Sequence, residues 1–280
     1  MNLENLIDLG KKYLKNNSIK RPSYEALLVY SKLKKYDLSH FWLNKEKKIS
    51  EKEKKNYLKK IFFRSEGKPL SKIIGVKEFY SRAFFTSCNT LDPRPDSESM
   101  IEIIKLIEKK KSTPVSILDL GTGSGCLLIT IGLELQNYRK IFGLGVDISK
   151  KALKIAKKNS MKHNINKKLT FKRSNWFSEI KQSFDIIISN PPYIGRQELS
   201  NLEKSVKDFD PKIALDGGID GLNHYRSISK SSKNFLKKGG YICLEIGHKQ
   251  KNDVETIFTN NGFKKFKSFK DLKKNDRILI

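Results

Sequence analysis

The sequence predicts a doubly wound α/β fold. A mostly parallel, seven-stranded sheet should follow a small N-terminal helical bundle, with a β-hairpin linker joining the two. Three observations predict it. From residue 115 onward, apolar strand-like runs alternate with helical stretches, the pattern of βαβ units. The first of those runs feeds a glycine-rich turn, Gly121-Thr122-Gly123-Ser124-Gly125. Residues 1 to 70, by contrast, carry helical periodicity. The expected organisation is a helical bundle over 1–70, a hairpin linker over 71–92 and the α/β domain over 93–280.

In the bundle, Leu3, Ile7 and Leu14 can share one helical face. Pro22 suits the first turn of the next helix, whose apolar stripe is Ala26, Leu27, Tyr30 and Leu33. Ser50-Glu51-Lys52-Glu53 matches a capping box, and the helix it opens should bury Tyr57, Leu58, Ile61 and Phe62. No catalytic constellation occurs here, so the pattern fits a structural cap as well as it fits partner recognition. Residues 73–91 alternate and are rich in aromatics (Phe79, Tyr80, Phe84, Phe85), which predicts the hairpin. Asp92-Pro93-Arg94-Pro95-Asp96-Ser97-Glu98 is a stiff turn, and Asp96 or Ser97 can cap a helix over Met100–Lys109.

The predicted strands of the sheet are Val115–Leu120, Ile141–Val146, Phe184–Ser189 and Tyr241–Ile246, with a weaker one near Leu169–Lys172. Phe263–Phe269 and Arg277–Ile280 suggest a closing antiparallel pair. Lysine runs such as Lys109-Lys110-Lys111 fall at helix ends, where cations suit the macrodipole.

Composition narrows the function classes. Hydrophobic residues make up 38% of the 280, enough for a core. No apolar run approaches the roughly 18 residues of a membrane helix, and Met1-Asn2-Leu3-Glu4-Asn5 lacks a signal-peptide start, so a soluble, cytoplasmic protein is expected. Cys88, Cys126 and Cys243 form no C-x-x-C pair, and His40, His163, His224 and His248 show no ligand spacing. No metal is expected. The net charge of +27 comes from 57 basic residues, of which nine are Arg, with lysines spread over the whole length. It permits contact with nucleic acid or a ribonucleoprotein, but abundant Lys, Asn and Ile are also what an A+T-rich genome encodes.

The chemistry sits at strand ends. Gly121 to Gly125 lets the backbone approach a ligand closely, and the following helix points amides into the same space. The third glycine comes one residue earlier than in the dinucleotide pattern; Cys126 stands there instead. Asp147 ends the next strand and can accept both hydroxyls of a ribose, or simply cap the helix from Ser149. Trp176 follows the weak strand, where its indole can lie on an adenine or join the core. Asn190-Pro191-Pro192-Tyr193 follows the run Phe184–Ser189. Two prolines end a strand, because they cannot donate to its ladder. The amide of Asn190 is thereby held at the mouth of a cleft, suited to gripping a planar nitrogen group. Four ligand-type features on one sheet edge suggest a single site.

These motifs resemble the release-factor glutamine N5-methyltransferase family. The resemblance rests on Pro69-Leu70-Ser71-Lys72-Ile73-Ile74-Gly75, Pro93-Arg94-Pro95-Asp96-Ser97-Glu98, Asn190-Pro191-Pro192-Tyr193-Ile194, Asp210-Pro211, Ala214-Leu215, Gly217-Gly218-Ile219-Asp220-Gly221-Leu222 and Leu244-Glu245-Ile246-Gly247. It spans 69–280. Asp92 departs from the apolar residue usual before Pro-Arg-Pro, and Asp210 from the usual Glu. Related ribosomal-protein glutamine methyltransferases carry Pro-Arg-Ser at the turn, which favours the release-factor branch.

The resemblance implies a class I methyltransferase-type fold, S-adenosyl-L-methionine as cofactor, and as partner the Gln of the Gly-Gly-Gln loop in class I peptide chain release factors. It implies cofactor binding by Gly121, Thr122, Gly123, Ser124, Gly125, Asp147, Trp176 and Asn190, and substrate binding by Asn190, Pro191, Pro192 and Tyr193. Asn190, Pro191 and Tyr193 would be catalytic by positioning: the Asn190 side-chain oxygen and the Pro191 carbonyl accept the two amide hydrogens, and Tyr193 walls the slot. The same tetrapeptide serves adenine N6-methylation of RNA or DNA, which the basic charge would suit. A non-catalytic protein docking on ribosomes is a third reading.

Overall fold

The structure, a computed structural model, describes residues 1–271 and 273–280. It divides into two compact units: Met1–Val76 with Glu203–Phe209, and Lys77–Leu202 with Asp210–Ile280.

The first unit holds helices α1 (Leu3–Asn16), α2 (Pro22–Lys34), α3 (His40–Leu43), α4 (Glu51–Ser65) and α5 (Leu70–Ile74). The Asn2 side chain caps α1 by accepting from Asn5 N at 2.9 Å. Ser50 caps α4, accepting from Glu53 N at 3.3 Å and donating to the Glu53 carboxylate at 3.0 Å. Leu3, Leu6, Ile7, Leu14, Ala26, Val29, Tyr30, Tyr57 and Ile61 make one core, with Ile73 of α5. Two expected core residues differ. Positions 26, 29, 30 and 33 trace the helical stripe of α2, so Val29 is buried and Leu27 sits off its edge. Phe62 is 46% exposed, because the stripe of α4 runs through Tyr57 and Ile61. The helical part continues past 70 through α5.

The second unit opens with the hairpin β1 (Val76–Phe79) and β2 (Arg82–Phe85). Its turn residues Tyr80 and Ser81 both take positive φ, 49° and 55°. That is the turn hand that matches strand twist. A 3-10 turn at Pro95–Ser97 then leads into α6 (Glu98–Glu108), which starts two residues before the expected Met100. Ser97 makes no cap bond, against expectation; its hydroxyl is used elsewhere.

Strands β3 (Val115–Leu120), β4 (Ile141–Asp147), β5 (Leu169–Arg173), β6 (Phe184–Ser189), β7 (Leu236–Glu245), β8 (Ser268–Lys270) and β9 (Asp276–Leu279) form one sheet in the order β5-β4-β3-β6-β7-β9-β8. The first five named pair in parallel; β9 is antiparallel to both β7 and β8. Helices α7 (Cys126–Leu135) and α8 (Lys150–Lys162) join the strands at the start, then α9 (Arg196–Leu199), α10 (Lys204–Lys207, in the first unit), α11 (Asn223–Ser232) and α12 (Lys251–Asn260) follow.

Alternation along the strands splits the core in two. Ile117, Ile186, Ile188 and Cys243 pack with α6, α7 and α8 on one face. Leu118, Leu120, Ile187 and Leu244 pack with α11 and α12 on the other. Coverage of both faces is why the central strands read as unbroken apolar runs. Strand β7 begins at Leu236, five residues before the expected Tyr241. In place of the expected 263–269, the strand is Ser268–Lys270, with Phe266 and Lys267 bonded to Ile280 through the backbone. No helix among the described residues is long and apolar enough to cross a membrane.

Candidate active site

Register assembles the site. Leu120 at the end of β3 pairs with Val146 of β4 on one side and with Ser189 of β6 on the other. Asp147 in turn pairs with Arg173 at the end of β5. The chain leaves β3 toward β4 and β5, then crosses to β6 and β7, so the order reverses between β3 and β6. Open α/β sheets bind ligands at such a reversal, outside the carboxyl ends. There lies a cavity of about 170 Å³ lined by Gly121, Gly123, Asp147, Trp176, Asn190 and Pro192, among others.

The glycine turn is shaped by its backbone. Gly121, Gly123 and Gly125 take φ of +73°, +56° and +79°, a region side chains disfavour. A Cβ on Gly121 would also come within 3.7 Å of the Trp176 ring, in the space the cavity occupies. Thr122, Ser124 and Gly125 do not line that cavity. The Thr122 hydroxyl donates to Asp119 at 2.6 Å, the Ser124 carbonyl accepts from Asn159, and Gly125 starts α7. Their contribution is to hold the turn. Asp119 is buried at 1% exposure, and burial pushes its carboxyl up to about 7.

Asp147 accepts from Gly123 N at 2.9 Å and from Ser149 N at 2.8 Å, which ties the glycine turn to the start of α8. Burial raises its pKa, and these backbone donors oppose the rise. The helix cap itself is Ser149, which accepts from Ala152 N at 3.2 Å. Asp147 therefore keeps a face on the cavity. Trp176 is half-buried there, with φ of +50° and its ring centroid 5.3 Å from that of His224. Left-handed backbone at a bulky residue is uncommon and clusters at binding sites.

Asn190 lines the cavity and turns its amide nitrogen away from it. Nδ2 donates to Ser97 Oγ at 3.2 Å, and Ser97 Oγ donates to Glu245 at 2.5 Å. Pro192 also lines the cavity, while Pro191 is buried behind it. Tyr193, expected as a wall, packs instead against the second core cluster and is absent from the cavity lining. Its backbone explains the turn: the Tyr193 carbonyl accepts from Gln250 Nε2 at 2.9 Å. A Cβ on Gly221 would sit 2.4 Å from that carbonyl oxygen, and one on Gly217 would sit 2.9 Å from the Tyr193 carbonyl carbon. The Gly217–Leu222 segment thus packs its bare backbone onto the tetrapeptide.

Several contributors went unforeseen. Asn159 is fully buried in α8, accepting from Phe85 N at 2.7 Å and donating to Phe85 O at 3.0 Å and Ser124 O at 2.9 Å. A polar residue on an otherwise apolar helix face was the available signal. Asn89, Thr90 and Leu91 add to the cavity lining from a loop, Ile213 from a 3-10 turn and His224 from the start of α11. Asp92, the departure before Pro-Arg-Pro, is buried and accepts from Thr86 Oγ1 at 2.6 Å, so its polarity is met within the chain. Asp210 pairs with Arg94 at 2.5 Å. No group of three metal-ligating side chains occurs among the described residues.

The family model described as PrmC N-terminal domain matches residues 5–75, and that described as Methyltransferase domain matches 109–275. The chain is similar to the release factor glutamine methyltransferase of Agrobacterium fabrum, 35% identical over 96% of this chain and 93% of that one. It is 34% identical to the bifunctional methyltransferase of Rickettsia typhi, covering 99% of this chain but 56% of that protein. In fold it is similar to the hMettl16 catalytic domain in complex with MAT2A 3′UTR hairpin 6, with a TM-score of 0.56, 15% identity, and 82% and 81% of the two chains covered.

Proposed function

The chain belongs to the release factor glutamine methyltransferase family, and from that membership we propose that it methylates the N5 side-chain amide nitrogen of glutamine in the Gly-Gly-Gln motif of class I peptide chain release factors. The cofactor we assign is S-adenosyl-L-methionine. One observation carries the reading. Asn190 opens onto the same cavity as the glycine turn and Asp147, so an acceptor amide held by Asn190 would meet a donor held by the turn.

The residues fit that donor. Bare backbone at Gly121 and Gly123 leaves room that a Cβ would fill. The carboxylate of Asp147 suits ribose hydroxyls, and the flat ring of Trp176 suits a base. When bound, the cofactor supplies an electrophilic sulfonium methyl. An amide nitrogen is a poor nucleophile because its lone pair is delocalised into the carbonyl. Asn190 Oδ1 and the Pro191 carbonyl would accept its two hydrogens, which fixes the nitrogen and favours the positive charge developing on it. Holding reactants in line contributes about 7–11 kcal/mol in favourable cases. Pro192 limits the slot, and Tyr193 braces the loop from the core side. We assign recognition of the release factor to the N-terminal unit, which the separate core of that unit and the PrmC N-terminal match over 5–75 support.

The test is mass spectrometry of the Gly-Gly-Gln peptide after release factor is incubated with the enzyme and cofactor. One added methyl on the glutamine is expected. The +27 charge also suits an RNA or DNA adenine substrate, so RNA offered in parallel is the control. Methyl transfer to RNA and none to release factor would overturn the proposal.

A further inference from the structure

A carboxamide at a reaction centre has two unlike ends: its oxygen accepts and its nitrogen donates. Only the oxygen of Asn190 can take a hydrogen from an acceptor amide. Something must therefore decide which end faces the cavity.

The decision is legible in three side chains from three distant parts of the chain. Glu245, at the end of β7, is 1% exposed. Ser97 Oγ donates to its carboxylate at 2.5 Å. An ionised carboxylate only accepts, so the proton of Ser97 is committed to Glu245. The Ser97 oxygen is left as an acceptor, and it receives Asn190 Nδ2 at 3.2 Å. The Asn190 amide also eases the ionisation of Glu245, which is again the work of a donor. Ser97 sits just before α6, where a serine ordinarily caps the helix, yet it makes no cap bond. Its hydroxyl has been taken for this relay.

Resting on the amide-methyltransferase reading of the site, we propose that Ser97 and Glu245 are positioning residues: Glu245 polarises Ser97, Ser97 holds Asn190 Nδ2, and Asn190 Oδ1 is thereby turned to the acceptor. Burying a carboxylate without a direct ion pair is costly. Arg277, the guanidinium that acts on Glu245 from β9, bonds Asp271 at 3.1 Å, Ile246 O at 3.1 Å and Asp96 at 3.5 Å rather than Glu245. A stability role alone would be better served by an apolar side chain, whereas a polarised relay requires the charge.

The charged and titratable groups facing Glu245 are Arg277 from β9, Asp96 from the 3-10 turn, Tyr193 from the catalytic loop, Tyr225 from α11 and Cys243 on its own strand. Burial is the largest influence on it and pushes its carboxyl up to about 7, against Ser97 and Arg277. Protonated, Glu245 can donate to Ser97, whose hydroxyl then turns to Asn190 and favours the opposite amide orientation.

Two measurements test this. In wild-type enzyme, ¹⁵N NMR of the Asn190 side-chain amide should follow a titration with a midpoint near about 7. That titration should vanish in Glu245→Gln. In steady-state kinetics, Ser97→Ala and Glu245→Gln should each lower kcat tenfold or more, with the cofactor Kd within twofold of wild type, and the Glu245→Gln profile should lose its acid limb. An Asn190 amide that ignores pH in wild type, or variants with wild-type kcat, would overturn the relay. Wild-type enzyme that leaves release factor unmethylated while the Asn190 amide still titrates would instead overturn the reading of the reaction and leave the relay standing.

Discussion

At the scale of single residues, Asn190 and Asp147 both line one cavity, and on their proposed roles their substitutions should separate. On its proposed role, Asn190→Ala removes a dipole that would face the acceptor, so kcat should fall about 10²–10³-fold while calorimetry shows cofactor affinity little changed. Asp147→Ala should weaken cofactor binding first. Retention of more than a tenth of wild-type turnover by Asn190→Ala would remove its role. Two buried carboxyls also set a pH dependence of stability. Asp119 and Glu245 are each pushed up to about 7 by burial, above the ordinary carboxylate value. Between those two values the folded chain holds protons that the unfolded chain has released. Their contribution to stability is therefore full at acid pH and is lost as pH rises through about 7. Tm should fall from mildly acid to mildly alkaline buffer, and Glu245→Gln should flatten part of that fall. Asn190 was legible because two prolines mark a strand end. Ser97 and Glu245 each lie in a local motif, but their pairing was not legible, because 148 positions separate them.

At the scale of elements, periodicity was a good guide wherever one rule governed the segment. Strands β3 and β6 are long apolar runs covered on both faces, and their limits were readable to the residue. Strand β7 was cut short because it opens with Leu236-Lys237-Lys238-Gly239-Gly240, a polar and glycine-rich stretch in which only Leu236 pairs with β6, at Phe184, before the register shifts. Asn159 shows what such reading misses. It couples α8 to the hairpin and to the glycine turn through one side chain. Asn159→Ala leaves buried partners unmatched, at about 1–3 kcal/mol for each. Thermal unfolding should show the loss, and cofactor affinity should drop with it because the Ser124 carbonyl loses its anchor. Asn159→Asp should not rescue, since a carboxylate cannot donate to two carbonyls.

At the scale of the whole molecule, the charge of +27 rests mostly on lysines scattered along the chain. Scattered ammonium groups attract phosphate without reading sequence. RNA should therefore bind and then release steeply, losing about tenfold or more in affinity between about 50 and about 200 mM salt, while remaining unmethylated. Salt-resistant, sequence-selective binding would show that the basic surface has a specific nucleic-acid partner.

The sequence by itself determined the sheet, the N-terminal bundle, and the strand ends that carry glycines, Asp147, Trp176 and Asn190, because each of these follows from periodicity or from a backbone constraint a few residues long. Only the tertiary structure decided which of those side chains share a cavity, that Tyr193 turns to the core, and which end of Asn190 faces outward. Those outcomes depend on hydrogen bonds between residues far apart in the chain, and a hydrogen-bond direction is fixed by its partner rather than by its neighbours in sequence.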